Sequence, residues 1–267
     1  MFPLHCDAIP TSTPELIEAL AQSALEYGVS NAKFVAEGAF PRLDTFRADF
    51  SGTHLKKGQP FPKMAKVDVQ GGFFVRDASL LADPLYISDI PVSLKASTQD
   101  AVFAFGTTKN DKPAMMLQQC GDGALVAEVS RDDLLAGLRG VATNLAEKKG
   151  VGINSTEMDI SADGKQTLNI NLTLTAKMMM MTAKVNVSGR ATLDDEFNLK
   201  LTNLQCTGEG MAGNMAAGFV RPYFEKLENK VIPLAAKLPQ GIHLSRPSVS
   251  VGKKIVFRAR FNVQKGA

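Results

Sequence analysis

Apolar and polar residues alternate along much of this chain, most cleanly where Leu168, Ile170, Leu172 and Leu174 are separated by Asn169, Asn171, Thr173 and Thr175. Successive side chains of a strand point to opposite faces, so a period of two sets one face on a core and the other in water. The pattern recurs at Phe46, Ala48 and Phe50, at Val67 and Val69, at Val185 and Val187, at Phe197, Leu199 and Leu201, and from Ile255 through Phe257, Ala259 and Phe261 to Val263. Shorter strands are expected at 73–75, 85–94, 102–105, 114–118 and 125–129.

Three segments change period. From Thr13 to Tyr27 the apolar residues Leu16, Ile17, Leu20, Ala24 and Leu25 share a helical face, with Thr13 placed to cap, Pro14 in the first turn and Gly28 to stop the helix. Ser130 opens a second helix, because Ser-Arg-Asp-Asp sets a carboxylate three residues after a capping hydroxyl, and Leu134, Leu135, Leu138, Val141, Ala142 and Leu145 follow at helical spacing. A third spans 210–229, with Pro222 expected to kink it.

Short polar turns such as Ala162-Asp163-Gly164 and Leu193-Asp194-Asp195-Glu196 leave no room for crossover helices, which favours antiparallel pairing. The expected class is α+β, with long antiparallel sheets whose apolar faces are hidden by curling or by amphipathic helices. Residues 1–32 form an N-terminal helix segment, and 33–267 one integrated body whose two halves meet near Gly150, since no low-complexity linker divides them.

Composition narrows the function classes. The net charge of +3 is dispersed over pairs such as Lys56-Lys57, Lys148-Lys149 and Lys253-Lys254, which make no nucleic-acid footprint and suit at most a weak contact with an anionic membrane surface. Cys6, Cys120 and Cys206 lack the close pairing of a zinc or redox motif, and allow at most one disulfide. No basic region followed by an apolar stretch opens the chain and no apolar run has spanning length, so the chain as written is expected to be soluble. His5, His54 and His243 are isolated, and neither a nucleophile elbow, a P-loop nor a GxGxxG turn occurs. No enzyme, metal or cofactor is implied.

The least ordinary local feature is Met178-Met179-Met180-Met181, where a strand would present methionine to both faces at once. Methionine adapts to partners of variable shape, and equally fills gaps in a core between sheet and helix. Adjacent Phe73 and Phe74 likewise point to opposite faces, so one of them needs an apolar partner outside the ordinary core. Met211, Met215, Phe219, Phe224 and Leu227 supply the apolar side of the third helix. Together these eleven residues mark the expected site, an apolar space between the second-half sheet and the third helix.

Three segments carry a family resemblance: Glu37-Gly38-Ala39-Phe40-Pro41-Arg42-Leu43, Val129-Ser130-Arg131-Asp132-Asp133-Leu134-Leu135, and Leu238-Pro239-Gln240-Gly241-Ile242-His243-Leu244. Over Lys33 to Val263 the chain resembles a bacterial family of uncharacterised envelope domains that includes the lipomannan-elongation factor and is related in shape to tubular lipid-binding (TULIP-like) proteins. The resemblance implies a curved antiparallel sheet around long helices, an elongated cavity for phospholipid, and a place in the cell envelope. The methionine run is not part of that pattern, nor is the absence of a signal or anchor. The function expected is therefore non-catalytic binding or transfer of a lipid or other long apolar ligand. The alternative is an assembly module that binds a protein through an apolar surface.

Overall fold

A computed structural model describes residues 2–55, 68–107, 113–147, 152–178, 181–234 and 242–263. Val67, Met179, Met180 and the turn at 238–241 lie outside the described residues, as do the side chains of Met178, Met181 and Phe219. Among the described residues strands dominate and three helices accompany them, so the protein is mainly β with an α+β layout. Contacts divide the chain into two units, Met1–Glu128 with Lys237–Arg246 and Arg258–Ala267, and Val129–Ala236 with Pro247–Phe257.

The first unit is built on strands β1 (Phe2–Pro3), β2 (Lys33–Ala39), β3 (Arg42–Asp49), β4 (Thr53–Leu55), β5 (Asp68–Ile87), β6 (Ile90–Thr107) and β7 (Pro113–Ser130). With β13 (Ile242–Val251) and β14 (Lys254–Val263) they form an open sheet in the order β13-β14-β7-β6-β5-β3-β2, with β1 beside β7 and β4 beside β5. Segments that looked short in sequence are pieces of strands 18 to 20 residues long. The expected strand at 85–94 is instead a hairpin: Ile87 pairs with Ile90, and Ser88 and Asp89 both take positive φ (50° and 68°), the geometry of a two-residue type I′ turn.

Among the strand pairs whose register is described, pairing is antiparallel except at two places. β3 and β4 both run parallel to β5 in one register, Leu43 opposite Val75 and Thr53 opposite Leu85. The general expectation of antiparallel pairing thus fails for β3 and β5, which are linked by a segment long enough to bring the chain back in the same direction. The Phe40-Pro41 turn closes β2 on β3. There Gly38 holds φ +104°, and an added Cβ would sit 2.7 Å from the Asp44 nitrogen.

Helix α1 (Thr13–Glu26) packs on this sheet. Its cap is Ser12 rather than Thr13: the Glu15 N–H donates to Ser12 Oγ, while Glu15 Oε2 accepts from both the N–H and the hydroxyl of Thr11. Leu16, Ala19, Leu20, Ser23 and Ala24 are buried, whereas Leu25 is 51% exposed, so the buried stripe turns toward Ser23. Ser23 belongs inside because its hydroxyl donates to the Ala19 carbonyl at 2.6 Å and accepts from the His5 N–H at 2.7 Å, tying the N-terminal segment to the helix.

The second unit is a five-stranded antiparallel sheet in the order β12-β11-β10-β9-β8. Its strands are β8 (Gly152–Ala162), β9 (Thr167–Met178), β10 (Met181–Leu193), β11 (Asn198–Glu209) and β12 (Val231–Pro233). The alternation read at 168–175 sets Leu172 beside Val187 and Leu174 beside Val185. The opposite, wet face carries a polar ladder in which Thr173 donates to Asn186, Asn186 to Glu209, and Lys184 pairs with Glu209 at 2.8 Å. Helix α2 (Arg131–Glu147) begins where Ser130 Oγ accepts the Asp133 N–H and bonds the Asp133 carboxylate, the expected cap. Helix α3 (Gly210–Leu227) runs through Pro222 and packs on β10 and β11 by backbone approach. A Cβ at Gly208 would lie 1.9 Å from the Gly213 carbonyl, and one at Gly213 would lie 2.6 Å from the Lys184 oxygen.

Gly208→Ala should therefore force α3 off the sheet and cost about 1–3 kcal/mol in urea unfolding. Gly152→Ala, whose added Cβ meets nothing nearer than 3.8 Å, should be close to neutral. A second outcome concerns the α1 cap. The hydrogen bonds from Thr11 hold the Glu15 carboxyl below its ordinary range, so its contribution is present above the unfolded pKa and is lost as pH falls through the folded one. Melting temperatures followed from about pH 6 to about pH 3, around the ordinary Glu value near 4.3, should fall less steeply in Glu15→Gln than in the parent.

Candidate functional site

The inner face of the first sheet changes phase part-way along three adjacent strands. On β5 the buried positions run Phe73, Val75 and then Ala78 and Ala82; on β3 they pass from Leu43 to Phe46 and Ala48; on β6 they pass from Phe105 and Ala101 to Thr98. Pairing is in step across the switch, Val75 opposite both Leu43 and Ala101, and Ala78 opposite both Phe46 and Thr98. Asp100, at φ 51°, marks the change on β6.

On one side of the switch the face is filled. Phe73 stacks on Phe103 at 5.0 Å and meets Phe105 at 5.4 Å and Phe40 at 5.8 Å, with Leu16 and Leu20 of α1 buried in the same core. On the other side small residues, Ala48, Ala78, Ala96 and Thr98, lie among the larger Phe46, Phe50 and Leu80. Rings stand around them, with Phe34 edge-on to Phe50 at 5.7 Å and Phe46 edge-on to Phe103 at 6.0 Å. A Cβ on Gly123 would lie 2.3 Å from Phe261, so that ring lies against the β7 backbone.

Small floor and bulky walls leave a pocket of about 270 Å³, bordered also by Phe2, Leu20, Met115 and Leu117, with no charged residue among its lining. The polar side chains at its edge are Ser79, Ser97 and Thr98, and Thr98 Oγ1 donates to the Gly121 carbonyl at 3.2 Å. A second hollow of about 350 Å³ is lined by Thr45, Arg47, Asp77, Gln99, Asp122 and Arg260 among others. Its charges are mixed, and Asp77 is held by Arg76 at 3.4 Å and Gln99 at 3.3 Å, the character of a solvated sheet face.

Of the eleven residues marked from sequence, those whose side chains are described lie in several places rather than together. Phe73 is a core residue of the first unit, 3% exposed, and Phe74 is half-buried with the Arg42 guanidinium 5.8 Å from its ring centroid. Phe224 packs on the small cluster of Val185, Cys206 and Ala217 under α3, and Leu227 is half-buried. Met211 and Met215 face away from that cluster, 81% and 51% exposed. Met178 and Met181 pair across β9 and β10. The interior expected between this sheet and α3 is closed at Gly208 and Gly213, where helix and strand backbones touch.

Sequence reasoning missed the pocket residues as a group. Phe46, Ala48, Phe50 and Phe103 carry only a strand pattern in the sequence; the usable signal is the run of small residues at Ala78-Ser79 and Ala96-Ser97-Thr98 in strands that otherwise carry large side chains.

Among the described residues no three of His, Cys, Asp and Glu are grouped to hold a metal ion, and no helix is long and apolar enough to cross a membrane. Burial, and then the charge of Asp7, push the Cys6 thiol up; burial also raises that of Cys206, so neither is poised as a thiolate. Compared with known proteins, the chain matches no family model, no curated sequence and no solved structure.

An open pocket and a filled core respond oppositely to added bulk. Ala78→Leu, on the pocket floor, should leave the melting temperature unchanged or raise it, by up to about 1 kcal/mol of added stability. Ala101→Leu, at a fully buried position on the filled side, should cost about 1–3 kcal/mol.

Proposed function

We propose that this protein binds or transfers a lipid or another long apolar ligand in the phenylalanine-walled pocket of its first unit, without catalysing a reaction. The observation that carries the reading is a pocket of about 270 Å³ with no charged lining residue, beside the phenylalanine-rich core of the same sheet. It is near the lower end of ligand-pocket sizes, about 300 Å³. Each methylene moved from water into such a site contributes about 0.8 kcal/mol, so apolar contact alone can hold a chain. The mainly antiparallel sheets and amphipathic helices are compatible with the TULIP-like architecture that the sequence resemblance implies, and phospholipid is the ligand that resemblance favours.

A second reading has its own observation. Met211 and Met215 expose adaptable apolar surface on the outer side of α3, which suits contact with a protein partner.

Protein purified without refolding should release close to one lipid equivalent per chain on organic extraction, and native mass spectrometry should show the matching mass. Ala78→Phe should lose that mass while remaining folded. A parent protein that is lipid-free on isolation and takes up no phospholipid from vesicles overturns the proposal, and a dimer that dissociates in Met211→Lys would favour the assembly reading.

A further inference from the structure

A sheet ends in strands whose outer N–H and C=O groups have no partner, and proteins usually cover or interrupt such edges. Among the described residues the terminal strands are β13 and β2 in the first sheet and β12 and β8 in the second. Three of the four are blunted. β12 is three residues long and includes Pro233. β13 is broken by Pro247, with Arg246 at φ 52°, and its Val249 N–H donates to the Lys165 carbonyl at 2.6 Å. β8 is met by α2, from which Arg139 donates to the Asn154 carbonyl at 3.0 Å and Arg131 pairs with Asp159 at 3.2 Å.

β2 carries none of these devices. From Lys33 to Glu37 it contains no proline and pairs with β3 in unbroken register, which shifts only between Glu37 and Gly38. Phe34 and Ala36 are half-buried against the core, while Lys33, Val35 and Glu37 are exposed, Val35 by 52%.

The pattern of this edge selects what can add to it. A second copy of β2 laid antiparallel must keep both inner faces on one side, so Phe34 and Ala36 face only each other or themselves, and the exposed residues likewise. With the two-fold axis at Val35, Lys33 faces the copy's Glu37 and Glu37 the copy's Lys33. Val35 then meets Val35, and Phe34 meets Ala36 across the inner face. An axis at Phe34 or Ala36 sets a charge against Val35, and one at Lys33 or Glu37 sets like charges together. Opposite charges pair at the Val35 axis alone. Thr45 donates to one oxygen of Glu37, Oε2 at 3.2 Å, and the carboxylate has a second.

We infer that β2 is a homodimer edge, on which a second copy of the chain pairs antiparallel about Val35 and continues the first sheet. The pairing from Lys33 to Glu37 is short, well below the roughly 800 Å² per partner of a standard interface, so the dimer is weak and depends on concentration.

Sedimentation velocity of the full chain, from micromolar to millimolar concentration, should show a monomer–dimer equilibrium. Glu37→Lys and Lys33→Glu each set like charges together on both sides of the axis, and each should weaken dimerisation about tenfold or more. Mixing the two variants should restore the dimer, because each supplies the charge the other lacks. If either variant fails to fold by circular dichroism, Val35→Glu decides, since the axis sets its carboxylates against each other and the dimer should be lost. A parent that stays monomeric throughout, a dimer that the folded variants leave untouched, or a mixture that stays monomeric overturns the inference. So does a dimer lost in Met211→Lys and kept in Glu37→Lys, which would place the contact on α3.

Discussion

The first unit depends on a coordinated change of side-chain phase across β3, β5 and β6. A strand that kept strict alternation would bury one set of residues along its whole length. Here the buried set shifts from Val75 to Ala78 while its neighbours shift in step, from Leu43 to Phe46 and from Ala101 to Thr98. The register is the same on both sides of the switch, and the pairing is interrupted only at Arg76. What changes is the bulk presented inward: packed phenylalanines under α1 on one side, and on the other alanines and a threonine interspersed with Phe46, Phe50 and Leu80. Interiors close on themselves to high density unless the side chains present cannot reach across, and small residues between fixed aromatic walls are such a case. The pocket follows from that mismatch.

The second unit shows the opposite use of small residues. Gly208, Gly213 and Ala217 let α3 approach β10 and β11 until backbones touch, so glycine there removes space instead of creating it. The apolar sheet face around Val185 and Val187 is covered by that contact, and the methionines that looked like ligand wall point outward at Met211 and Met215. Small residues under a helix close a gap; small residues among immovable rings leave one.

That distinction explains what could be read from the chain beforehand. Alternation at 168–175, the cap at Ser130 and the stripe of α1 were legible because each depends on neighbours in sequence. The parallel pairing of β3 with β5 was not, because it depends on where a long connection returns. The Ser88-Asp89 turn was hidden by apolar residues on both flanks, with no glycine to announce it. The site was displaced for the same reason: Ala78 and Thr98 meet Phe46 only through register between strands, whereas the methionine run stood out locally and drew attention to the other unit. The clustering of Phe34, Phe46, Phe50 and Phe103 is a property of the assembled sheet.

The central claim is that the ligand lies on the small-residue floor of the first sheet. Intermolecular NOEs from methyl-labelled alanine to a bound acyl chain test it directly, since Ala48, Ala78 and Ala96 line the pocket while Ala212 and Ala217 are buried residues of α3. The account predicts cross-peaks from chain methylenes to the first three methyls and none to the last two. Cross-peaks confined to Ala212 and Ala217, or none to any alanine in a protein shown to hold lipid, would contradict it.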